Sequence, residues 1–372
     1  MRKRIALGWI LCVLLVAPLT VKAYEGSSVR QQYEEYMERF QAIQSFEDVE
    51  QNGFDVIEEQ SFPVIFESFG EQEVFFFTAM DVKYNRLAVF VQDSEGKILF
   101  KTNQLETNHR ILGEMKQPTK EIAAVSFLDV NHDNLKDIIL ITRCENEQGE
   151  MKGISYKVGD VLFQRKGGFY RDYRISEKIN RFSMNKSARC IISFVRDDKS
   201  AEFLYTATTS QELFDNGFNV IEEQCYPRNF EKLGRLTVVP GTFSMGDYDI
   251  FMIYLVNDQG NIVWSFQPME DYDNLYSLRG IACKDLDGDG MKDLAVLARY
   301  STEMPSGELV VESDCAIYYQ RTGGFDVDVE FEESFQVTDT LKMEDVVREI
   351  RRYWGWNIEE EYTLTGAEQK IK

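Results

Sequence analysis

The segment from Asp285 to Asp293 places carboxylates at alternating positions directly before an apolar stretch. When a backbone coils around a cation, oxygens at positions 1, 3, 5 and 9 converge and the carbonyl at position 7 adds a ligand. A glycine at position 6 allows the positive φ of the bend. Because the donors are all hard oxygens, we predict Ca²⁺. The predicted ligands are Asp285, Asp287, Asp289, the carbonyl of Met291, and Asp293.

A weaker copy of this segment lies upstream, from Asp129 to Asp137. Asn134 stands at the glycine position, and asparagine tolerates the left-handed conformation. The alternative for either segment is an acidic turn without metal. We expect any bound ion to have a structural role, because nothing marks an open coordination position beside an acid or base. The predicted ligands in this copy are Asp129, Asn131, Asp133, the carbonyl of Leu135, and Asp137.

A strand-like run follows each loop. Position 12 holds Leu140 in the first copy and Val296 in the second, where an EF-hand requires a bidentate glutamate. The loop with its exit strand instead resembles the FG-GAP/VCBS repeats of calcium-braced β-propellers, and the Gly-Gly-Phe turns at 167–169 and 323–325 resemble the closing hairpin of such a repeat. The resemblance covers residues 121–170 and 277–326. It implies a scaffold used for adhesion or for recognising proteins and glycans.

The two loops belong to a longer internal repeat. Four landmarks recur in one order: 52–60 with 216–224, 93–100 with 257–264, 129–137 with 285–293, and 163–169 with 319–325. The second copy is shorter in the polar connection around residues 103–119, where length changes cost little. We therefore predict a signal peptide at 1–23, a first β-repeat unit with an N-terminal helix at 24–205, and a second β-repeat unit with a C-terminal helix at 206–372.

Short β-rich runs separated by Asp, Gly and Asn turns dominate both copies and predict antiparallel meanders. Helices are predicted only at the flanks, over Arg30–Gln44 and Leu341–Trp354, where apolar residues recur at three- and four-residue spacing. The predicted fold is mainly β, with β-propeller-like or meander units in tandem duplication and flanking helices. Two β-sandwich-like domains are the alternative.

The first residues have the pattern of an export signal: a basic start from Arg2 to Arg4, an apolar stretch from Ile5 to Leu19, and a small-residue cleavage site ending at Ala23. Because a membrane span needs about 20 apolar residues, an uncleaved anchor is the lesser alternative. We expect a secreted or extracytoplasmic protein with no membrane span after cleavage. The net charge of −22 argues against nucleic acid or an anionic lipid surface as a partner.

No catalytic motif stands out in the sequence. The two histidines, His109 and His132, lie in no nucleophile pattern, and no two cysteines have the spacing of a zinc pair. We predict a non-enzymatic binding or adhesion module for an extracellular protein or glycan. The alternatives are a carbohydrate-active enzyme that uses a carboxylate pair, or an inhibitor of an extracellular enzyme.

Two further motifs have a functional and a structural interpretation. The pentapeptide Val-Ile-Glu-Glu-Gln occurs at Val56–Gln60 and again at Val220–Gln224, either as a shared ligand contact or, more commonly for a retained strand segment, as a shared packing or turn requirement. The aromatic run Tyr353–Trp356 could form a binding platform, although core packing is the more ordinary role at the end of an amphipathic helix.

Overall fold

The computed structural model describes residues 29–108, 110–111, 114–115, 117–145, 155–268, 274–303, 308–327, 331 and 334–356. The predicted signal peptide and His109 lie outside these residues. The chain divides into two compact units, Met1–Ala42 and Ile43–Lys372. The described part of the first unit is helix α1, Val29–Ala42, which matches the predicted N-terminal helix. The signal peptide and the division at 205/206 stay predictions.

The first half of the larger unit contains two four-stranded sheets, both antiparallel meanders, and one short hairpin. The first sheet consists of β1 Phe54–Val64, β2 Val74–Asp81, β3 Arg86–Gln92 and β4 Ile98–Thr102. The hairpin consists of β5 Arg110–Ile111 and β6 Glu114–Met115. The second sheet consists of β7 Gln117–Leu128, β8 Asp137–Glu145, β9 Ser155–Arg165 and β10 Gly168–Arg171.

Nine strands in the second half share one sheet: β11 Asn219–Val220, β12 Tyr226–Phe230, β13 Gly234–Met245, β14 Tyr248–Val256, β15 Ile262–Phe266, β16 Asn274–Lys284, β17 Asp293–Glu303, β18 Leu309–Arg321 and β19 Gly324–Val327. The meanders β12–β15 and β16–β19 repeat the strand order of β1–β4 and β7–β10. A parallel pairing at Asp249 and Asn274 joins the two meanders into one sheet. The mainly β prediction is confirmed. Among the described strands no sheet closes on itself, so the propeller-like arrangement stays a prediction.

Helices also occur between the two halves, so the prediction of helix only at the flanks is wrong. Those between the halves are α3 Tyr173–Arg181, α4 Ala188–Val195, α5 Phe203–Thr206 and α6 Ser210–Asp215; α2 Phe46–Gln51 precedes β1, and α7 Met343–Tyr353 matches the predicted C-terminal helix at Leu341–Trp354. Side-chain caps start three of the central ones: Asp172 accepts backbone hydrogen bonds at α3, Ser187 does so at α4, and Thr209 does so at α6. Of the described helices, none has both the length and the apolar composition to cross a bilayer.

Aromatic side chains at matching positions fill the space between the meanders of each copy. In the first copy the ring centroids of Phe66 and Phe169 lie 4.9 Å apart. In the second copy Phe230 and Phe325 form the corresponding pair at 6.1 Å. Each pair brings the hairpin of the last two strands against the neighbouring meander. The hairpin turns are therefore positioned by packing as well as by their glycines.

Candidate metal centre

The second acidic loop joins two neighbouring antiparallel strands, β16 and β17. Ligand oxygens of Asp285, Asp287 and Asp289 all lie within 4.8 Å of one another. Backbone hydrogen bonds fix this arrangement, since Asp285 accepts from Gly288 N at 2.8 Å and from Gly290 N at 3.0 Å. Both glycines have positive φ, 88° and 82°. The sequence therefore brings three of its predicted ligands together as a group that can hold a metal ion.

Asp293 holds the end of the loop instead of joining this group of three. Its side chain is fully buried, and its oxygens accept backbone hydrogen bonds from Leu286 at 2.7 Å and Gln320 at 2.8 Å. Burial raises the pKa of Asp293 to about 7, and the neighbouring carboxylates of Asp287 and Asp289 raise it further against the two hydrogen bonds. The predicted ligand role of Asp293 and of the Met291 carbonyl stays a prediction.

Four side chains tie the loop to both meanders, and we call Glu231, Lys292, Asp293 and Gln320 the second clasp. Glu231 follows β12. It accepts a hydrogen bond from Lys292 N at 2.8 Å, and its carboxylate forms an ion pair with Lys292 Nζ. Gln320, buried on β18, donates to the Lys292 carbonyl at 3.2 Å and to Glu231 at 3.4 Å. The loop is thus connected to a strand end on one side and a hairpin on the other.

The first copy contains the same arrangement, and we call Glu67, Lys136, Asp137 and Gln164 the first clasp. Lys136 donates to Glu67 through its backbone N at 3.0 Å and through Nζ at 2.9 Å. Gln164 donates to the Lys136 carbonyl at 2.6 Å and to Glu67 at 3.1 Å. Burial disfavours the Glu67 carboxylate, but these hydrogen bonds outweigh it and lower the pKa of Glu67 to about 2. Asp137 again accepts two backbone hydrogen bonds.

Sequence reasoning missed the glutamate and glutamine of both clasps. A signal was available, because Phe-Glu recurs at 66–67 and 230–231, and Gln-Arg recurs at 164–165 and 320–321. The glutamine lies inside one of the four repeated landmarks, but an amide is not a typical ligand of the predicted metal, so the repeat indicated no functional role for it.

The first loop keeps the backbone of the second but not its charge. His132 and Asn134 stand where the second loop has glycines, and both are left-handed, with φ of 63° and 66°. Asn131 Nδ2 donates to Asp133 Oδ2 at 3.0 Å, and Asp129 accepts from Asn134 N at 2.9 Å. An amide donor therefore supplies one contact inside the loop where the second copy has a carboxylate. The ligand roles of Asp129, Asn131, Asp133, Asp137 and the Leu135 carbonyl stay predictions.

Arg321, which was not predicted to take part in the site, contacts the second loop. Arg321 Nη1 lies 2.8 Å from Asp287 Oδ2 and 3.1 Å from Asp289 Oδ2. The matching residue in the first copy, Arg165, has its guanidinium carbon 5.5 Å from the ring centroid of Tyr170. Two of the three converging carboxylates are therefore partly neutralised by an arginine on the neighbouring hairpin.

The C-terminal helix covers one side of the second loop. Arg351, on α7, donates to the Asp285 carbonyl through Nε at 3.1 Å and Nη2 at 2.9 Å. Its guanidinium carbon lies 4.2 Å from the ring centroid of Trp356. Trp354 Nε1 donates to the Tyr319 hydroxyl at 2.9 Å. The aromatic run Tyr353–Trp356 is thus partly packed against the second copy, although the Trp354 side chain remains 42% exposed.

The repeated pentapeptide does not form the same structure twice. Val56–Gln60 lies inside β1, whereas in the second copy β11 ends at Val220 and Glu222–Gln224 forms a 3₁₀ turn. The pairing register places Pro240 opposite Ile221, and a proline cannot donate a ladder hydrogen bond. Both interpretations of the pentapeptide stay predictions, but the two copies do not have one backbone conformation.

A buried charged cluster lies outside both loops. Asp160 and Arg171 are buried, with Asp160 Oδ1 3.5 Å from Arg171 Nη1 and Glu106 Oε2 3.3 Å from the same nitrogen. Burial raises the pKa of Asp160 to about 7, although the Glu106 backbone N and Arg171 favour its charged form. These two carboxyl groups are enclosed by protein, which favours a structural role over work on a substrate. The five described cysteines form no disulfide.

No protein-family model matches the chain, and no curated protein sequence does. Among solved structures, a fructofuranosidase variant from Schwanniomyces occidentalis complexed with fructosylnystose is 11% identical, with a TM-score of 0.21 over 69% of this chain and 42% of that chain. Rhamnogalacturonan lyase PL11 from Bacillus licheniformis is also 11% identical, with a TM-score of 0.21 over 73% of this chain and 50% of that chain. The chain spans half or less of these proteins, and scores this low support no conclusion about function.

Proposed function

We propose that this chain is an exported β-repeat protein, stabilised by Ca²⁺ in its second acidic loop, that acts as a non-enzymatic binding or adhesion module for an extracellular protein or glycan. The observation that carries the metal part is the convergence of the Asp285, Asp287 and Asp289 oxygens within 4.8 Å of one another. Three hard anionic donors on one tight loop suit Ca²⁺ better than a soft or borderline metal. The resemblance to FG-GAP/VCBS repeats supports the same ion.

A structural role for the ion follows from the surroundings of the loop. The second clasp ties the loop to both meanders, and Arg351 ties the Asp285 carbonyl to α7. An ion held there would stiffen a junction of several elements. Extracellular calcium modules typically have dissociation constants of about 10⁻⁴–10⁻³ M, and a ligand at 100 times its dissociation constant stabilises a fold by about 2.7 kcal/mol.

The binding role rests on the resemblance and on charge. The net charge of −22 disfavours nucleic acid and anionic lipid as partners. Repeat scaffolds of the FG-GAP/VCBS type are used for recognition, and that step is an analogy between folds. The inhibitor alternative uses the same property, since an inhibitor is a binding module whose partner is an enzyme.

One experiment separates the binding role from the carbohydrate-active alternative. The purified mature protein is incubated with a panel of polysaccharides in Ca²⁺, and both retention on the insoluble material and release of soluble sugar are measured. Retention without release supports the binding role. Release that disappears when one acidic pair is changed to amides contradicts it.

The metal part is tested separately by calorimetric titration of the chelator-treated protein with Ca²⁺. We expect at least one site per chain, and an Asp285→Asn/Asp289→Asn variant that lacks it. An unchanged titration in this variant rules out the second loop as the site. Mg²⁺, which demands a tighter octahedral shell, serves as the comparison ion.

A further inference from the structure

A cleft of about 540 Å³ lies at the edge of the first sheet and shares no residue with the metal centre. The start of α2, strand β2 and the turn between β3 and β4 form its walls. The side chains that matter chemically are Phe46, Glu47, Phe75, Gln92, Asp93 and Glu95. The lining contains no lysine, arginine or histidine.

The cleft combines aromatic surface with free carboxylates. Phe46, at the start of α2, is 41% exposed although its ring meets the edge of the buried Phe77 ring at a centroid distance of 5.2 Å, and Phe75, on β2, is 37% exposed. Glu47 and Glu95 form no ion pair with any residue that the structure describes. Asp93 is occupied in the turn, because it accepts hydrogen bonds from the backbone of Glu95 at 3.0 Å and Lys97 at 2.9 Å.

The second copy builds the same frame with different side chains. Phe46 N donates to the Gly96 carbonyl at 2.8 Å, and Ser210 N donates to the Gly260 carbonyl at 2.9 Å. An isolated bridge pairs Ser45 with Lys97, and its counterpart pairs Thr209 with Asn261. With the strand register, the matched lining residues are Phe46 with Ser210, Glu47 with Gln211, Phe75 with Thr237, Gln92 with Val256, and Glu95 with Gln259.

The comparison of the two copies shows which side chains the shared backbone arrangement, here called the frame, requires and which it does not. The turn, the bridge and the helix start form with serine, glutamine and threonine in the second copy. The aromatic rings and free acids of the first copy are therefore not required to build the frame. Glu47 and Glu95 stand where the second copy has glutamines, and Phe46 and Phe75 stand where it has Ser210 and Thr237, whereas Ser94 stands where it has Asp258.

We propose that this cleft binds a lysine or arginine side chain of a basic protein partner. A cationic head attracts both the carboxylates of Glu47 and Glu95 and the faces of exposed phenyl rings. The apolar stem of such a side chain packs on the same rings. The net charge of −22 favours a basic partner over an acidic one. The inference deepens the proposed binding role by naming the chemistry of the ligand, and it rests on that role but not on the calcium site.

The test titrates ¹⁵N-labelled mature protein with Nα-acetyl-lysine methylamide, Nα-acetyl-arginine methylamide, the neutral Nα-acetyl-norleucine methylamide and putrescine, and follows the amide signals of residues 93–96. We expect saturable shifts with the lysine or arginine derivative and at least tenfold weaker binding of the norleucine derivative. Equal binding of the norleucine derivative overturns the proposal. Tighter binding of putrescine than of both amino-acid derivatives overturns the assignment to a protein side chain.

The variant Glu47→Gln/Glu95→Gln carries the side chains that the second copy has on the same frame, so folding is expected to be unaffected. We expect at least a tenfold loss of affinity in this variant, and no change in the matched variant Gln211→Ala/Gln259→Ala. Retained affinity in the glutamine variant overturns the proposal. Melting in Ca²⁺ and in chelator is measured on the same samples. If no cationic ligand binds but Ca²⁺ still raises the melting temperature, the cleft proposal fails and the calcium proposal stands. If a cationic ligand binds but Ca²⁺ has no effect on melting, the calcium proposal fails.

Discussion

Arg321 Nη1 lies 2.8 Å from Asp287 Oδ2, so the second acidic loop contains a cationic side chain between two of its carboxylates. The arginine comes from the β18 end of the neighbouring hairpin, whereas the loop lies between β16 and β17. A divalent ion that binds this loop meets a positive charge already in place. The ion must displace the guanidinium or bind beside it, and both cost affinity.

Replacing this arginine is expected to strengthen calcium binding and weaken the metal-free protein. In Arg321→Gln the three carboxylates repel one another without compensation, so the melting temperature in chelator falls. Calcium then binds several-fold more tightly, since about 1 kcal/mol of charge repulsion at a partly exposed site corresponds to a factor near five. Differential scanning calorimetry in chelator and calorimetric titration with Ca²⁺ measure the two effects.

The matched control is Arg165→Gln in the first copy, whose guanidinium carbon lies 5.5 Å from the Tyr170 ring centroid. This change is expected to leave Ca²⁺ affinity unchanged. A weaker affinity in Arg321→Gln than in the unmodified protein contradicts the proposed competition and makes the arginine a supporting partner of the site.

Calcium is expected to raise the melting temperature through the second loop. The change Asp287→Ala removes one of the three converging carboxylates, so it should abolish most of the rise. Asn131→Ala, at the matching position of the first loop, should leave the part of the rise due to the second loop in place. Identical melting curves in Ca²⁺ and in chelator for the unmodified protein would contradict the calcium proposal.

Both clasp glutamines are expected to stabilise the fold, but only one should affect metal binding. Gln164 and Gln320 are buried and donate across to a glutamate and a lysine carbonyl. Substitution by alanine removes hydrogen bonds to a partly exposed glutamate and a lysine carbonyl, and each such bond contributes about 0.5–1.5 kcal/mol. Denaturant unfolding should show this loss in both variants. The Ca²⁺-dependent increment should shrink in Gln320→Ala and persist in Gln164→Ala.

The buried Asp160 predicts a pH dependence of stability. The pKa of Asp160 is about 7 in the folded protein, and its ordinary value is 3.8. Between about pH 4 and pH 7 the folded state therefore keeps a proton on this group that the unfolded state releases. Stability from this group is therefore present at low pH and lost as the pH rises through about 7. The slope is at most about 1.4 kcal/mol per pH unit.

Asp160→Asn keeps the acceptor for the Glu106 backbone N but cannot titrate. Urea unfolding at several pH values between 4 and 8, in saturating Ca²⁺ to hold the acidic loops constant, should show a flatter profile in this variant. Parallel profiles for the two proteins would mean that Asp160 is ionised throughout, held by Arg171.

Local patterns in the sequence predicted the features that depend on neighbouring residues. The loop from Asp285 to Asp289 forms from residues a few positions apart, as does the hairpin at Gly323–Gly324. Glu231 and Arg321 could not be placed this way, because Glu231 meets Lys292 61 residues away, and Arg321 meets Asp289 32 residues away. Such contacts are created by strand pairing and have no period in the sequence.

No helix is predicted at α4 from the sequence, because its local signal is weak. Helix α4 contains Ile191, Ile192 and Val195, β-branched residues that favour strands. Its cap at Ser187 and the burial of Cys190 and Ile191 override that preference. The repeated pentapeptide shows the opposite limit, since identical residues lie in a strand at Val56–Gln60 but form a 3₁₀ turn at Glu222–Gln224, beside a partner strand in which Pro240 has no N–H to donate.

The two clasps also constrain the order in which the chain can fold. The first clasp joins residues 69 and 97 positions apart, and the second joins residues 61 and 89 positions apart. Closing loops of this length has an entropic cost that only contacts already formed can offset. Each meander must therefore assemble before its clasp can close. Clasp residues are therefore expected to contribute little to the folding transition state and more to the barrier against unfolding.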